Sequence, residues 1–172
     1  DRAQGEDRWY GAYIILHILI ETPIRISAAC NLKRNCIRPS FQTGRYELQT
    51  IQKTSHGKRE SYIISNSLAK LIESYQQKTE YLTDKVSYTM KDSLFIYENS
   101  VGSNTKYAVM TSVTFNHLLN NGLAAIGSKR YSAQNIRDTH MNKADLYNAM
   151  KKGTDLTLSV LTGHKSPTTT ME

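Results

Sequence analysis

Residues 9–21, WYGAYIILHILIE, are apolar almost all the way round a helical wheel. A surface helix carries an apolar stripe and a polar back, so a helix without a polar back has to be covered on most sides. This segment therefore demands a layered domain built around a central buried helix, and 172 residues are enough chain to supply one. The apolar run is broken by His17 and is too short to span a bilayer. No signal peptide is recognised, and a membrane is not among the expected partners.

The elements around that helix follow from local patterns. Thr22-Pro23 interrupts it, and because proline is favoured in the first turn of a helix, a second helix is expected to run from there to about Arg34. Residues 35–44 read as turn. Residues 46–53 and 59–64 alternate polar and apolar around the loop 54–58, which contains Gly57, a β-hairpin signal. Ser65 or Asn66 caps a third helix, on which Leu68, Leu71, Ile72 and Tyr75 share one face. Residues 79–93 show no period. Residues 94–97 suggest a short strand, followed by a polar loop at 98–104. A helix is expected from about Lys106 to Asn121, ending at Gly122. Ser132 is expected to cap a long helix closing at Lys151-Lys152-Gly153. A short helix from Thr154 to near Gly163 follows, and another opens at Ser166-Pro167. With no repeat and no linker, the expectation is a single α+β domain over 1–172, mostly helical, with a small antiparallel β-sheet.

Charge narrows the partners. The chain has 22 Lys and Arg against 15 Asp and Glu, a formal charge of +7. That excess favours a polyanion, because each phosphate neutralised releases counterions. Cys30 and Cys36 lack further ligands at metal spacing, so no zinc site is expected, and the cysteine usage fits a reducing cytoplasm.

Four places carry chemistry. Arg25 stands near a helix start, where a cation is electrostatically misplaced unless an anion binds beside it. Lys53 lies at the end of the first hairpin strand, where a mobile ammonium can reach a phosphodiester and shed a proton; Lys58, across the turn, competes with it. Gln134 and Arg137 are three residues apart on one helix and can present an amide and a phosphate clamp together. His164 sits in a turn between two helices, fit to donate to a phosphate or move a proton near neutral pH. Taken singly, each reads more simply as an ordinary surface residue.

Their order is what carries weight. From Trp9 to Glu172 the chain resembles the tyrosine recombinases, the phage-integrase family. Thr22-Pro23-Ile24-Arg25-Ile26-Ser27 is similar to the family's box around its first arginine, and Gln52-Lys53-Thr54 to its hairpin lysine. Ile136-Arg137-Asp138-Thr139 is similar to the box of its second arginine, and Leu161-Thr162-Gly163-His164 to its Leu-Gly-His segment. There are departures. Pro23 replaces a glycine and Ala28 an acidic residue. Gln134 stands where the family has His or Lys and cannot titrate. Asp138 replaces a histidine and would weaken Arg137 toward anions if the two paired.

The resemblance implies a catalytic domain that cleaves and rejoins double-stranded DNA through a covalent 3′-phosphotyrosine, for site-specific recombination or integration, without metal or other cofactor. Arg25 and Arg137 would neutralise the phosphate, Lys53 would protonate the leaving oxygen, His164 would assist, and Gln134 could hydrogen-bond. The family places its tyrosine nine residues after this histidine, which here falls just past Glu172. The chain is accordingly expected to be a fragment, lacking an N-terminal DNA-clamping domain and a C-terminal tail with the nucleophile, from a cytoplasmic phage-type or mobile-element protein that works as a tetramer on DNA. The rival reading is a non-catalytic helix-turn-helix regulator using residues 158–171. It leaves Arg25, Lys53 and the Gln-x-x-Arg spacing unexplained.

Overall fold

The structure is a computed structural model that describes residues 6–51, 59–99 and 104–139. Its first helix, α1 (Glu6–Glu21), begins earlier than the sequence suggested, with Glu6 and Asp7 in its first turn where acidic side chains favour the helix dipole. Its buried side is Gly11, Ala12, Ile14, Ile15, Ile18 and Leu19. The helix is central, packing on elements from four parts of the chain, but it is not wholly enclosed. Trp9, Tyr13 and Ile20 remain about half exposed on its outer side.

After α1 the backbone does not re-enter a helix at Pro23. Thr22 closes α1, its Oγ1 donating to the Ile18 carbonyl at 2.8 Å. Pro23 and Ile24 are buried in non-helical chain, and α2 (Ile26–Cys30) is only five residues long with Arg25 as its N-cap. The expected helix from Pro23 to Arg34 is thus replaced by a short one. Arg34 lies beyond it, its guanidinium bound to the Gln76 carbonyl at 2.6 Å and to Glu80 at 3.2 Å.

Residues 35–44, expected to be turn, include a strand, β1 (Ile37–Pro39). It pairs antiparallel with β2 (Tyr46–Ile51), which pairs antiparallel with β3 (Arg59–Ile64). The β2–β3 hairpin is the one the alternation predicted, with Leu48 opposite Tyr62 and Ile51 opposite Arg59. Period-two geometry sends Leu48, Tyr62 and Ile64 into the core. Ser65 then caps α3 (Asn66–Thr79), its side chain accepting from the Leu68 amide at 3.2 Å. Glu21 at the end of α1 accepts from the same residue twice, from Ser65 N–H at 3.0 Å and Ser65 Oγ at 2.6 Å. Leu68, Ile72 and Tyr75 are buried as the helical spacing required.

A 3-10 turn at Glu80–Leu82 leads into the aperiodic stretch. A second, two-stranded antiparallel sheet joins β4 (Ile96–Glu98) to β5 (Tyr107–Val109). The single helix expected from Lys106 to Asn121 is therefore a strand followed by α4 (Ser112–Ala125), capped by Thr111 and continuing through Gly122. The chain turns at Gly127, whose φ of 71° suits glycine. Residues 133–139 are helical, and the cap is Ser132 as expected: its Oγ accepts from Asn135 N–H at 3.2 Å while Asn135 Oδ1 accepts from Ser132 N–H at 3.0 Å. The expected continuation of this helix to Gly153, and the helices after it, lie outside the described residues. No helix among the described residues is long and apolar enough to cross a membrane.

Candidate active site

Three elements meet where α1 ends. The buried segment Thr22-Pro23-Ile24 anchors the loop, and Arg25 leaves it half exposed with an extended backbone, φ −74° and ψ 146°. Its carbonyl accepts from the Ala29 amide at 3.0 Å, so the residue's backbone is fixed by the helix it opens. Since α2 is little more than a turn, its dipole adds little there. Any affinity for an anion has to come from the side chains.

Arg137 approaches from the helix at 133–139. It is almost buried, at 8% exposure, and its Nε–H donates to the Pro23 carbonyl oxygen at 3.3 Å. Burial pushes the guanidinium below its ordinary pKa, and the like charge of Arg25 pushes it further in the same direction. Tyr62 and Asp138 act weakly the other way. Two features distant in sequence thus stand close enough to repel each other, one of them largely desolvated. A planar guanidinium fork can match phosphate oxygens, which is the chemistry such an arrangement offers.

Gln134 is exposed one turn before Arg137. Its Nε2 donates to Asp138 Oδ1 at 2.8 Å, so the Asp138 carboxylate takes an amide as a hydrogen-bond partner. Lys53, Lys58 and His164 lie outside the described residues, as does the 158–171 segment of the regulator reading. The hairpin that carries Lys53 is described up to Ile51, paired with Arg59.

Two residues that sequence reading passed over pin the start of the helix that carries Arg137. Both are on α4. Asn116 Oδ1 accepts from the Ala133 amide at 2.9 Å, and Asn120 brackets Tyr131, donating to its carbonyl at 2.9 Å and accepting from its amide at 2.8 Å. Side-chain amides that pair with backbone act as a splice between two chain segments. An Asn at i and i+4 on one helix was the available signal, but asparagine is common enough on helix surfaces for that spacing to say little.

No protein-family model matches the chain, and no curated protein matches it. Solved structures do. One is the XerH site-specific recombinase bound to difH substrate as a pre-cleavage complex, with a TM-score of 0.67 and 16% identity, over 99% of this chain and 43% of that one. Another is XerH bound to palindromic difH substrate as a post-cleavage complex, with a TM-score of 0.64 and 17% identity, over 99% and 42%. The chain spans less than half the length of these recombinase chains. The mostly helical α+β fold with small antiparallel sheets is therefore the fold found in a site-specific recombinase.

Proposed function

We propose that the chain is the catalytic domain of a tyrosine recombinase that cleaves and rejoins double-stranded DNA during site-specific recombination. The observation that supports it best is the convergence of Arg25 and Arg137 beside Pro23, with one guanidinium depressed in pKa by burial and by the other's charge. The likeness of fold to XerH on difH DNA supports the same reading.

In this mechanism a tyrosine oxygen attacks the scissile phosphorus, and the bond from phosphorus to the 5′ oxygen breaks. Lys53 gives that oxygen a proton. Arg25 and Arg137 neutralise the charge that builds on the non-bridging oxygens of the transition state. His164 hydrogen-bonds the phosphate and assists proton transfer at the nucleophile, and Gln134 offers a neutral hydrogen bond in place of a titrating side chain. The covalent 3′-phosphotyrosine retains the bond energy, so a 5′ hydroxyl reverses the step without ATP. Metal and cofactor are not required by this scheme. The full-length protein would add an N-terminal clamping domain and act as a tetramer on its site.

The test is trapping of the covalent intermediate. Full-length protein is incubated with a nicked duplex carrying its recombination site, and protein–DNA adducts are resolved under denaturing conditions. Adducts are expected, and Arg25→Ala and Arg137→Ala should each abolish them while sparing most DNA binding. Adduct formation at near wild-type rates in either variant removes that residue from the site. Sequence-specific DNA binding without any adduct favours the regulator.

A further inference from the structure

The outer face of the three-stranded sheet carries a cleft of about 280 Å3 that the proposed chemistry does not use. Lys33, Arg38 and Arg59 line it with Asn31, Asn35 and Gln49 and with the buried Leu32, Cys36 and Thr50, and none of its lining residues is acidic. Its position follows from register. Arg38 is opposite Glu47 and Arg59 is opposite Ile51, so both point away from the face of Leu48, Tyr62 and Ile64 that fills the core. Tyr62, the neighbour that influences Arg137, belongs to that inner face. Arg38 and Arg59 thus point away from the sheet face that Tyr62 shares with the core.

The cleft wall is built rather than incidental. Leu94 N–H donates to the Leu32 carbonyl at 2.9 Å and Arg34 N–H to the Asp92 carbonyl at 2.9 Å, which pins the loop before β1. Gln49 N–H donates to the Cys36 carbonyl at 2.8 Å and closes the other end. Arg34 turns inward to α3, while Lys33 beside it is exposed. Among the described residues no carboxylate forms an ion pair with Lys33, Arg38 or Arg59, and Glu47 makes none with the arginine it faces. Three cations around neutral amides select an anion with several acceptor oxygens and reject metal ions.

We propose that this cleft is a second phosphate-binding site, taking a backbone phosphodiester of the duplex whose scissile phosphate lies at Arg25 and Arg137. This rests on the DNA reading above and deepens it. A phosphate held there would fix how the β2–β3 hairpin is set against DNA. Free inorganic phosphate shares the chemistry and is the other source to be distinguished.

The experiment is fluorescence anisotropy of a labelled duplex with the full-length protein across a salt series. It compares wild type, the triple variant Lys33→Gln/Arg38→Gln/Arg59→Gln, and a control triple of equal charge, Lys70→Gln/Lys85→Gln/Lys91→Gln, all with matched circular dichroism. The cleft triple should weaken binding about tenfold at low salt and flatten the slope of log affinity against log salt by about one. The control should do clearly less. Equal effects of the two triples overturn the proposal and leave the recombinase reading standing, whereas absence of duplex binding by wild type overturns both. A titration of wild type with inorganic phosphate, followed by amide shifts at Arg38 and Arg59, covers the other source. Phosphate binding with DNA affinity untouched by the cleft triple overturns the DNA assignment.

Discussion

The Arg137 Nε–H donates to the carbonyl oxygen of Pro23, 3.3 Å away, joining positions 114 residues apart. That bond fixes where the guanidinium stands beside the loop that carries Arg25. Lysine at this position keeps the charge and loses the fork. Arg137→Lys should therefore slow covalent adduct formation at least about a hundredfold, the scale of one lost transition-state donor. Single-turnover time courses at saturating DNA check it, and a rate within a few-fold of wild type would show that charge alone suffices.

Asn116 is expected to behave as a positioning residue. Asn116→Ala leaves the Ala133 amide without its acceptor and should lower unfolding free energy by about 1–3 kcal/mol. Asn116→Asp keeps an acceptor oxygen and should retain most of that stability. Urea denaturation of the pair measures both, and equal losses in the two variants would rule out the hydrogen bond as the cause.

Gly11 and Gly122 should respond oppositely to alanine although both are helical. A Cβ on Gly11 would meet Tyr75 Oη at 3.0 Å and Phe95 Cδ1 at 3.4 Å. Tyr75 is buried and its hydroxyl donates to the Ile96 carbonyl at 3.2 Å, so it cannot retreat freely. Gly11→Ala should cost about 1–3 kcal/mol by overpacking. A Cβ on Gly122 meets only Trp9 Cζ3, at 3.9 Å, and Gly122→Ala should stabilise by about 0.5–1 kcal/mol. Thermal melts of the two variants moving in the same direction would refute this.

Burial pushes the thiols of Cys30 and Cys36 up to about 12. Both should resist a thiol reagent at pH 8 in the native chain and react once urea unfolds it. The sign of the linked stability follows. Each folded-state value lies above the ordinary 9.0, so the protonated thiol is the form that folding favours. That contribution is intact below pH 9 and is lost as pH rises from 9 towards 12. Alkaline melts of Cys30→Ala and Cys36→Ala should show a weaker decline with pH than wild type; an unchanged decline would remove the thiols as its source.

Segments with a strong local period were legible in the sequence. The β2–β3 hairpin followed from alternation, and α3 from Leu68, Leu71, Ile72 and Tyr75. Elements fixed by distant partners were not. β1 has three residues, ends in Pro39 and shows an exposed face, so only its pairing with β2 makes it a strand. Tyr107, Ala108 and Val109 fit a helix as well as a strand, and it is Ile96–Glu98 across the sheet that decides. The order of motifs and the resemblance it carries singled out Arg25 and Arg137, but their placement depends on the Pro23 carbonyl and on the two asparagines of α4. Neither leaves a local trace.

The paired bonds from Ser65 to Glu21 tie α3 to the loop of the proposed site although α3 bears no candidate catalytic group. The Ser65 hydroxyl caps one helix and grips the last residue of another, and the loop to Arg25 starts at the very next position. If the proposed recombinase reading holds, selection for recombination-defective alleles should recover lesions at codon 65 alongside those at codon 25, because a serine forty residues downstream holds the helix end from which the loop to Arg25 departs.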